Sequence, residues 1–207
     1  MGGAKMKYVL VIICAYLLGS SSMSFYIAKL KGVDIQKKGS KNLGASNTMM
    51  IFGWKYGIVV GIHDIAKSAI AVILAVSLFP ELPYIGAVAG VASVLGHIFP
   101  FYLKFKGGKG FASYLGMTFA LNWKLALVIC LIIVLATLIT DYIVVGTTLT
   151  ITIVPTFFGI VTQGWIFPAI LIIATIVIMY KHRHNYVGIW KGTEIGLRSA
   201  HRGDHRA

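Results

Sequence analysis

The stretch KFKGGKGFAS, Lys104 to Ser113, sets three lysines and three glycines into seven consecutive positions between two apolar runs. Gly107, Gly108 and Gly110 let the main chain approach a ligand closely, Lys109 supplies a point charge, and a helix starting near Phe111 offers N–H groups to a phosphate. These residues suit anion binding. The segment is not a Walker-type nucleotide loop, which needs glycine at the place of Leu103 and Ser or Thr where Gly110 stands. A basic tether to anionic headgroups would use the lysines and leave the clustered glycines without a task.

Two further segments carry polar residues between apolar runs. In DIQKKGSKNLGASN, Asp34 to Asn47, the residues Gly39, Ser40, Asn42, Gly44, Ser46 and Asn47 combine flexible backbone with hydroxyl and amide donors that could converge on an anion. A solvated connector with capping residues is the plainer alternative. In YKHRHNYVGIWKGTE, Tyr180 to Glu194, His182 and Asn185 lie three apart and share a helix face, while Arg183 points elsewhere. An interfacial or topogenic histidine is the plainer alternative here. Inside an apolar run, GIHDIAKS carries His63, Asp64 and Lys67; Asp64 and Lys67 at three-residue spacing can neutralise each other, either as an ion path or as a structural pair bracing the site.

Several chemistries find no matching pattern. Cys14 and Cys130 sit in separate apolar runs and read as lipid-buried or core thiols. No Cys/His cluster suits zinc and the six carboxylates are scattered, so no metal is expected. No histidine has an aspartate five positions on, and no GxSxG elbow is present.

These segments need a bilayer to hold them. Of the 207 residues 57% are hydrophobic and only 12% charged, about half the charged fraction of a soluble domain. The expectation is an all-α integral membrane protein of about seven transmembrane helices, at Tyr8 to Lys29, Gly57 to Phe79, Tyr84 to Leu103, Phe111 to Leu121, Leu125 to Thr140, Tyr142 to Thr162 and Trp165 to Tyr180. The fourth is too short to span alone and could be re-entrant. The first is read as a retained helix rather than a cleaved leader. Lys31, Lys37, Lys38, Lys41, Lys55, Lys104, Lys106, Lys109 and the basic residues from Lys181 onward oppose only Lys5, Lys7 and Lys124. That asymmetry predicts an outside N-terminus, a cytoplasmic C-terminus and all three motif segments on the cytoplasmic face. The net charge of +13 is thereby a matter of topology and does not call for nucleic acid. Trp54, Trp123, Trp165 and Trp190 fall near predicted span ends, as an interfacial belt requires. One domain, 1–207, is expected, with a flexible basic tail at 198–207; the sequence sets no oligomeric state.

With these residues in view, the chain resembles the PlsY family, small bacterial membrane acyltransferases that move a fatty acyl group from acyl phosphate to glycerol 3-phosphate. The family's GS in the first span is similar to Gly19 and Ser20, its GSGNxGATN to GSKNLGASN at Gly39 to Asn47, and its LDxxKG to HDIAKS at His63 to Ser68. Its GHxFPxFxxFKGGKGxAT is similar to GHIFPFYLKFKGGKGFAS from Gly96, and its HRxN followed by GxE to His182, Arg183, Asn185, Gly192 and Glu194.

The resemblance implies an acyltransferase of the bacterial inner membrane, making lysophosphatidic acid and phosphate for phospholipid synthesis without metal, cofactor or coenzyme A. It implies that Lys109 neutralises the acyl phosphate in a cradle shaped by Gly107, Gly108 and Gly110. Ser40 and Asn42 would donate to phosphate, and His182 and Asn185 would hold glycerol phosphate. Lys109, Ser40, His182 and Asn185 form the expected catalytic set. Gly39, Lys41, Asn42, Ser46, Asn47, Lys106 and the three loop glycines form the expected phosphate site, and Asp64, Lys67, His97 and Glu194 its structural support. The chain departs from the family at Met50 and Gln36, where arginines usually stand, and at Lys41, Ser46 and Ser68. An acyltransferase with another polyol-phosphate acceptor, or a small anion transporter or binding protein, are the alternatives.

Overall fold

The computed structural model describes residues 2–196 and Arg198. The rest of the expected basic tail lies outside the described residues. Arg198 itself donates its backbone N–H to Asp141 Oδ1 at 2.8 Å and its guanidinium to Leu138 O at 2.6 Å. The regular structure among the described residues is helical, with no strand among them. Among the described residues six helical segments are long and apolar enough to cross a bilayer: Gly2–Leu30, Trp54–Leu78, Ile85–Leu103, Trp123–Thr140, Ile143–Thr162 and Ile166–Trp190. The fourth apolar run of the sequence forms a shorter helix, Phe111–Leu121, whose 11 residues reach about 16 Å against a hydrocarbon core of about 30 Å. The chain divides into two compact units after Leu121.

The first unit holds α1 (Gly2–Ser20), α2 (Met23–Leu30), α3 (Ala45–Phe52), α4 (Trp54–Leu78), α5 (Ile85–Ile98) and α6 (Phe111–Leu121). The first apolar run is therefore broken. Ser22 caps α2 by accepting the Phe25 N–H at 3.3 Å, and serines compete with the helix for backbone partners. The second difference from the sequence reading is α3, which begins inside the motif segment at Gly44, a cap without a side-chain acceptor. At the centre, α5 packs against α1, α4 and α6, while α4 packs against α1, α3, α5 and α6. Small residues set these approaches. A Cβ on Gly19 would overlap Ser93 O of α5, one on Gly96 would overlap Tyr16 O of α1, and one on Gly116 would overlap Ile65 O of α4. Helices in lipid gain association from such close backbone packing. Ser68, where the family motif has glycine, bonds Ser93 Oγ at 2.8 Å.

The second unit holds α7 (Trp123–Thr140), α8 (Ile143–Thr162) and α9 (Ile166–Trp190), with α8 packed against both others. Asn122 caps α7 through the Leu125 N–H at 2.9 Å. Pro155 lies inside α8 and cannot donate to Ile151 O; Thr175 of α9 donates to that carbonyl instead, at 3.0 Å. In hydrocarbon an orphaned carbonyl costs several kcal/mol, so this bond keeps the proline tolerable. All four tryptophans stand at helix ends and are exposed, and the outward faces carry apolar residues such as Leu131, Ile139 and Ile176.

Candidate functional site

The Asp34 to Asn47 segment is held from within by one side chain. Asn47, fully buried in the first turns of α3, accepts the Ser40 N–H at 2.8 Å and donates to the carbonyls of Asn42 at 3.0 Å, Lys38 at 3.2 Å and Ile35 at 3.4 Å. Its amide is thus committed to the loop. Gly39 has φ +56°, and a Cβ there would overlap Asn47 Oδ1, so both the conformation and the space demand glycine. Lys41 takes φ +58°, a left-handed conformation uncommon for a lysine. Ile35 and Leu43 are buried with Ala28 and pack against Phe25 and Leu103, which nails the loop to the helices. Ser40, Lys41 and Ser46 are exposed, and Asn42 is half-buried.

The glycine-rich segment folds back onto the end of α5. Gly107 N–H donates to Ile98 O at 3.0 Å and Gly108 N–H to His97 O at 3.1 Å, satisfying two carbonyls that the helix terminus leaves open. A Cβ on Gly107 would overlap His97 O; one on Gly108 would overlap His97 Nε2 and stand 2.8 Å from Leu43 O. These two glycines are required by their contact with α5, and their N–H groups face protein. Lys109 beside them is half-buried, and the N–H groups in the first turn of α6 have no intrahelical acceptors. Gly110 has φ +96° at the entry to that helix. Lys104 and Phe105 both take left-handed backbone, φ +52° and +59°, and such strain in non-glycine residues gathers where function over-determines the chain.

The two loops are joined. Gln36 Nε2 donates to Lys106 O at 2.8 Å, and Leu43 O stands beside Gly108. Sequence reading marked Gln36 only as a missing arginine; a bond across 70 positions leaves no local signal. Beneath them lies a buried polar cluster. Lys67 Nζ contacts Asp64 Oδ1 at 2.7 Å, Ser21 O at 2.8 Å and His97 Nδ1 at 2.8 Å. His63 adds a contact from Nε2 to Ser21 Oγ at 3.1 Å, and its Nδ1 stands 3.5 Å from Asp64 Oδ1. Ser113 donates to Asp64 O at 3.2 Å, tying α6 to α4.

In the second unit His182 and Asn185 follow one another along α9. His182 is buried with Nδ1 2.9 Å from Ile178 O, which orients the ring. Asn185 Nδ2 donates to Glu194 Oε1 at 2.5 Å. Thr193 N–H and Glu194 N–H both reach Gly188 O, folding the residues after α9 back along the helix. A Cβ on Gly188 would stand 2.7 Å from Glu194 Oε2, so a small residue there admits the carboxylate.

The glycerol-3-phosphate acyltransferase family model matches residues 9–192. The glycerol-3-phosphate acyltransferase of Aquifex aeolicus is 39% identical over 193 residues, 91% of this chain and 98% of that protein. The enzyme of the same description from Halalkalibacterium halodurans is 37% identical over 192 residues, 89% and 93% of the two chains. Two crystal structures of PlsY, an integral membrane glycerol 3-phosphate acyltransferase, have the same fold. Its glycerol 3-phosphate form gives a TM-score of 0.86 at 34% identity over 94% of this chain and 97% of that one. Its lysophosphatidic acid form gives 0.81 at 34% identity over 91% and 94%. Motifs, helices and comparisons agree that this multi-pass membrane protein belongs to the glycerol-3-phosphate acyltransferase family.

Proposed function

We propose that the chain, acting as one domain over 1–207, transfers a fatty acyl group from acyl phosphate to the 1-hydroxyl of glycerol 3-phosphate, giving lysophosphatidic acid and inorganic phosphate. The observation that carries this reading is the likeness, over 94% of the chain, to a structure described as the glycerol 3-phosphate form of PlsY. The acyl-phosphate donor rests on the motifs and on the anion chemistry of the Lys104 to Phe111 segment. The positive-inside asymmetry supports a bacterial inner-membrane location with the N-terminus outside, the C-terminus cytoplasmic and the active site on the cytoplasmic face. That topology takes α6 as a seventh, short crossing, sheltered by its packing on α4 and α5.

The residues take the following roles in this reading. Lys109 offsets the charge of the acyl phosphate, and Gly107, Gly108 and Gly110 fix the loop that places it. Ser40 and Asn42 donate to substrate phosphate, with Lys41, Ser46 and Lys106 available beside them and Gly39 and Asn47 holding the loop in shape. His182 and Asn185 are assigned the glycerol phosphate from their motif, with Glu194 orienting Asn185. Asp64, Lys67 and His97 support the first unit from within.

The acceptor's primary hydroxyl attacks the acyl carbonyl directly. A carbon–oxygen ester bond forms, the bond from carbonyl carbon to phosphate oxygen breaks, and the hydroxyl proton passes to an oxygen of the departing phosphate. Cationic and N–H groups aimed at that phosphate stabilise its developing charge, and holding both substrates together supplies much of the rate.

The test is phosphate release and acylated glycerol phosphate formation by the purified protein given palmitoyl phosphate and glycerol 3-phosphate. Lys109→Ala and His182→Ala are each expected to lower turnover by about 100-fold or more. Product unaffected by both variants would overturn the residue assignment. Solute flux in proteoliposomes without any product would overturn the reaction.

A further inference from the structure

Lys67 sits where three carriers of the first unit converge. Its ammonium reaches Ser21 O at the break between α1 and α2, Asp64 Oδ1 one turn back on α4, and His97 Nδ1 on α5. Lys67 and Asp64 are each 3% exposed and His97 7%. An ammonium has three hydrogens and no lone pair, so all three contacts are donations. His97 Nδ1 must then be the acceptor nitrogen, and the ring proton lies on Nε2. A ring protonated on both nitrogens would set an N–H against the ammonium at 2.8 Å. Asp64 Oδ1, 3.3 Å from Nδ1, is the longer contact and already takes Lys67 at 2.7 Å.

The other edge of that ring carries the consequence. Nε2 and its neighbouring carbon back onto Gly108, closely enough that no Cβ fits between them, while Gly108 N–H bonds the His97 carbonyl. His97 therefore grips Gly108 by backbone and by ring, and Gly108 is bonded to Lys109. We propose that Lys67 is a positioning residue for the glycine-rich loop: it fixes the Nε2–H tautomer and the tilt of His97, and that edge of the ring sets where Gly108, and with it Lys109, stands. Lys67 thus governs donor-phosphate binding without touching substrate. The proposal rests on the acyl-transfer reading for its kinetic consequence, but not for the tautomer.

Two readouts test it separately. Selective 15N-histidine labelling, with the His97 signal identified by its loss in His97→Gln, is expected to show the Nε2–H form in the wild-type protein and a loss of that preference in Lys67→Met. In turnover, Lys67→Met is expected to raise KM for palmitoyl phosphate about tenfold or more. The kcat and the KM for glycerol 3-phosphate should move much less. Lys67→Arg, which keeps a cationic donor, should recover part of the loss. Gln places its amide nitrogen near the Nε2 position whatever Lys67 does, so Lys67→Met should cost far less in a His97→Gln background than alone. If Lys67→Met does not fold, Asp64→Asn with Lys67→Met removes both buried charges and takes its place. A wild-type His97 protonated on Nδ1, or equal loss from Lys67→Met in both His97 backgrounds, would overturn the proposal. Absence of product from the wild type would instead sink the acyl-transfer reading and leave the tautomer measurement to decide the positioning role.

Discussion

The side-chain carbonyl of Asn47 accepts the backbone N–H of Ser40 at 2.8 Å while its amide reaches three carbonyls of the same loop. One buried side chain thereby sets the path of the segment that presents Ser40. Asn47→Ala leaves those carbonyls and the Ser40 N–H without their partner and is expected to destabilise the protein by about 2–4 kcal/mol. Asn47→Asp keeps an acceptor for Ser40 but loses the donor, and should fall in activity as well as stability. Thermal unfolding in detergent together with turnover at saturating substrates checks both; an unchanged melting temperature in Asn47→Ala would refute the structural role.

Gly108 gives a sharper steric prediction, because a methyl group there meets His97 Nε2 and Leu43 O. Gly108→Ala must push either the ring or the Asp34 to Asn47 loop aside. It should cost about 1–3 kcal/mol and most of the activity. Gly61, in α4, is the control: the nearest atom to an added Cβ is Ala45 Cβ at 3.7 Å, so Gly61→Ala should fold and turn over as the parent does. Equal losses in the two variants would mean that helix-level disruption, not the loop contact, is being measured.

Glu194 accepts from Asn185 at 2.5 Å and fits against Gly188 because that residue has no side chain. A carboxylate accepting from an amide holds the amide's other atoms in one orientation. Glu194→Gln is therefore expected to raise KM for glycerol 3-phosphate by about 3- to 10-fold while leaving the KM for acyl phosphate nearly unchanged. Steady-state kinetics with each substrate varied in turn checks this. A rise confined to the donor would remove Asn185 from the acceptor side.

How far the sequence led can be read from particular residues. Apolar length pointed to the helices, and all six long segments lie where apolar runs were read, since a bilayer demands about 20 apolar residues per crossing. The break after Ser20 was hidden because serine is neutral in hydropathy, and its tendency to cap shows only once Phe25 N–H finds Ser22. The start of α3 was hidden too, because Gly44 supplies no side-chain cap. The motifs carried the family. They did not show that Gly107 and Gly108, read as glycines that let the main chain approach a ligand, also pack against α5. Nor did they join Lys67 to His97, 30 positions apart on different helices, or Gln36 to Lys106, since helical periodicity speaks only for residues on one element.

Met50 and Gln36 test how the chain manages without the arginines its family usually places there. Met50 lies exposed on α3, and Gln36 holds Lys106 O through its amide. If the acceptor's phosphate is bound beside Ser40, Met50→Arg adds a planar cation able to engage phosphate through two N–H groups. It is expected to lower KM for glycerol 3-phosphate by about 3- to 10-fold with little change in kcat. Gln36→Arg retains a donor for Lys106 O and should be tolerated, whereas Gln36→Ala unties the two loops and should raise KM for both substrates. Kinetics over a panel of phosphorylated polyols separates the outcomes: a parent that already prefers glycerol 3-phosphate, with a Met50→Arg variant that gains on it, keeps glycerol 3-phosphate as the acceptor. One that gains only on that substrate while the parent prefers another polyol phosphate shows that the missing arginine changed the acceptor.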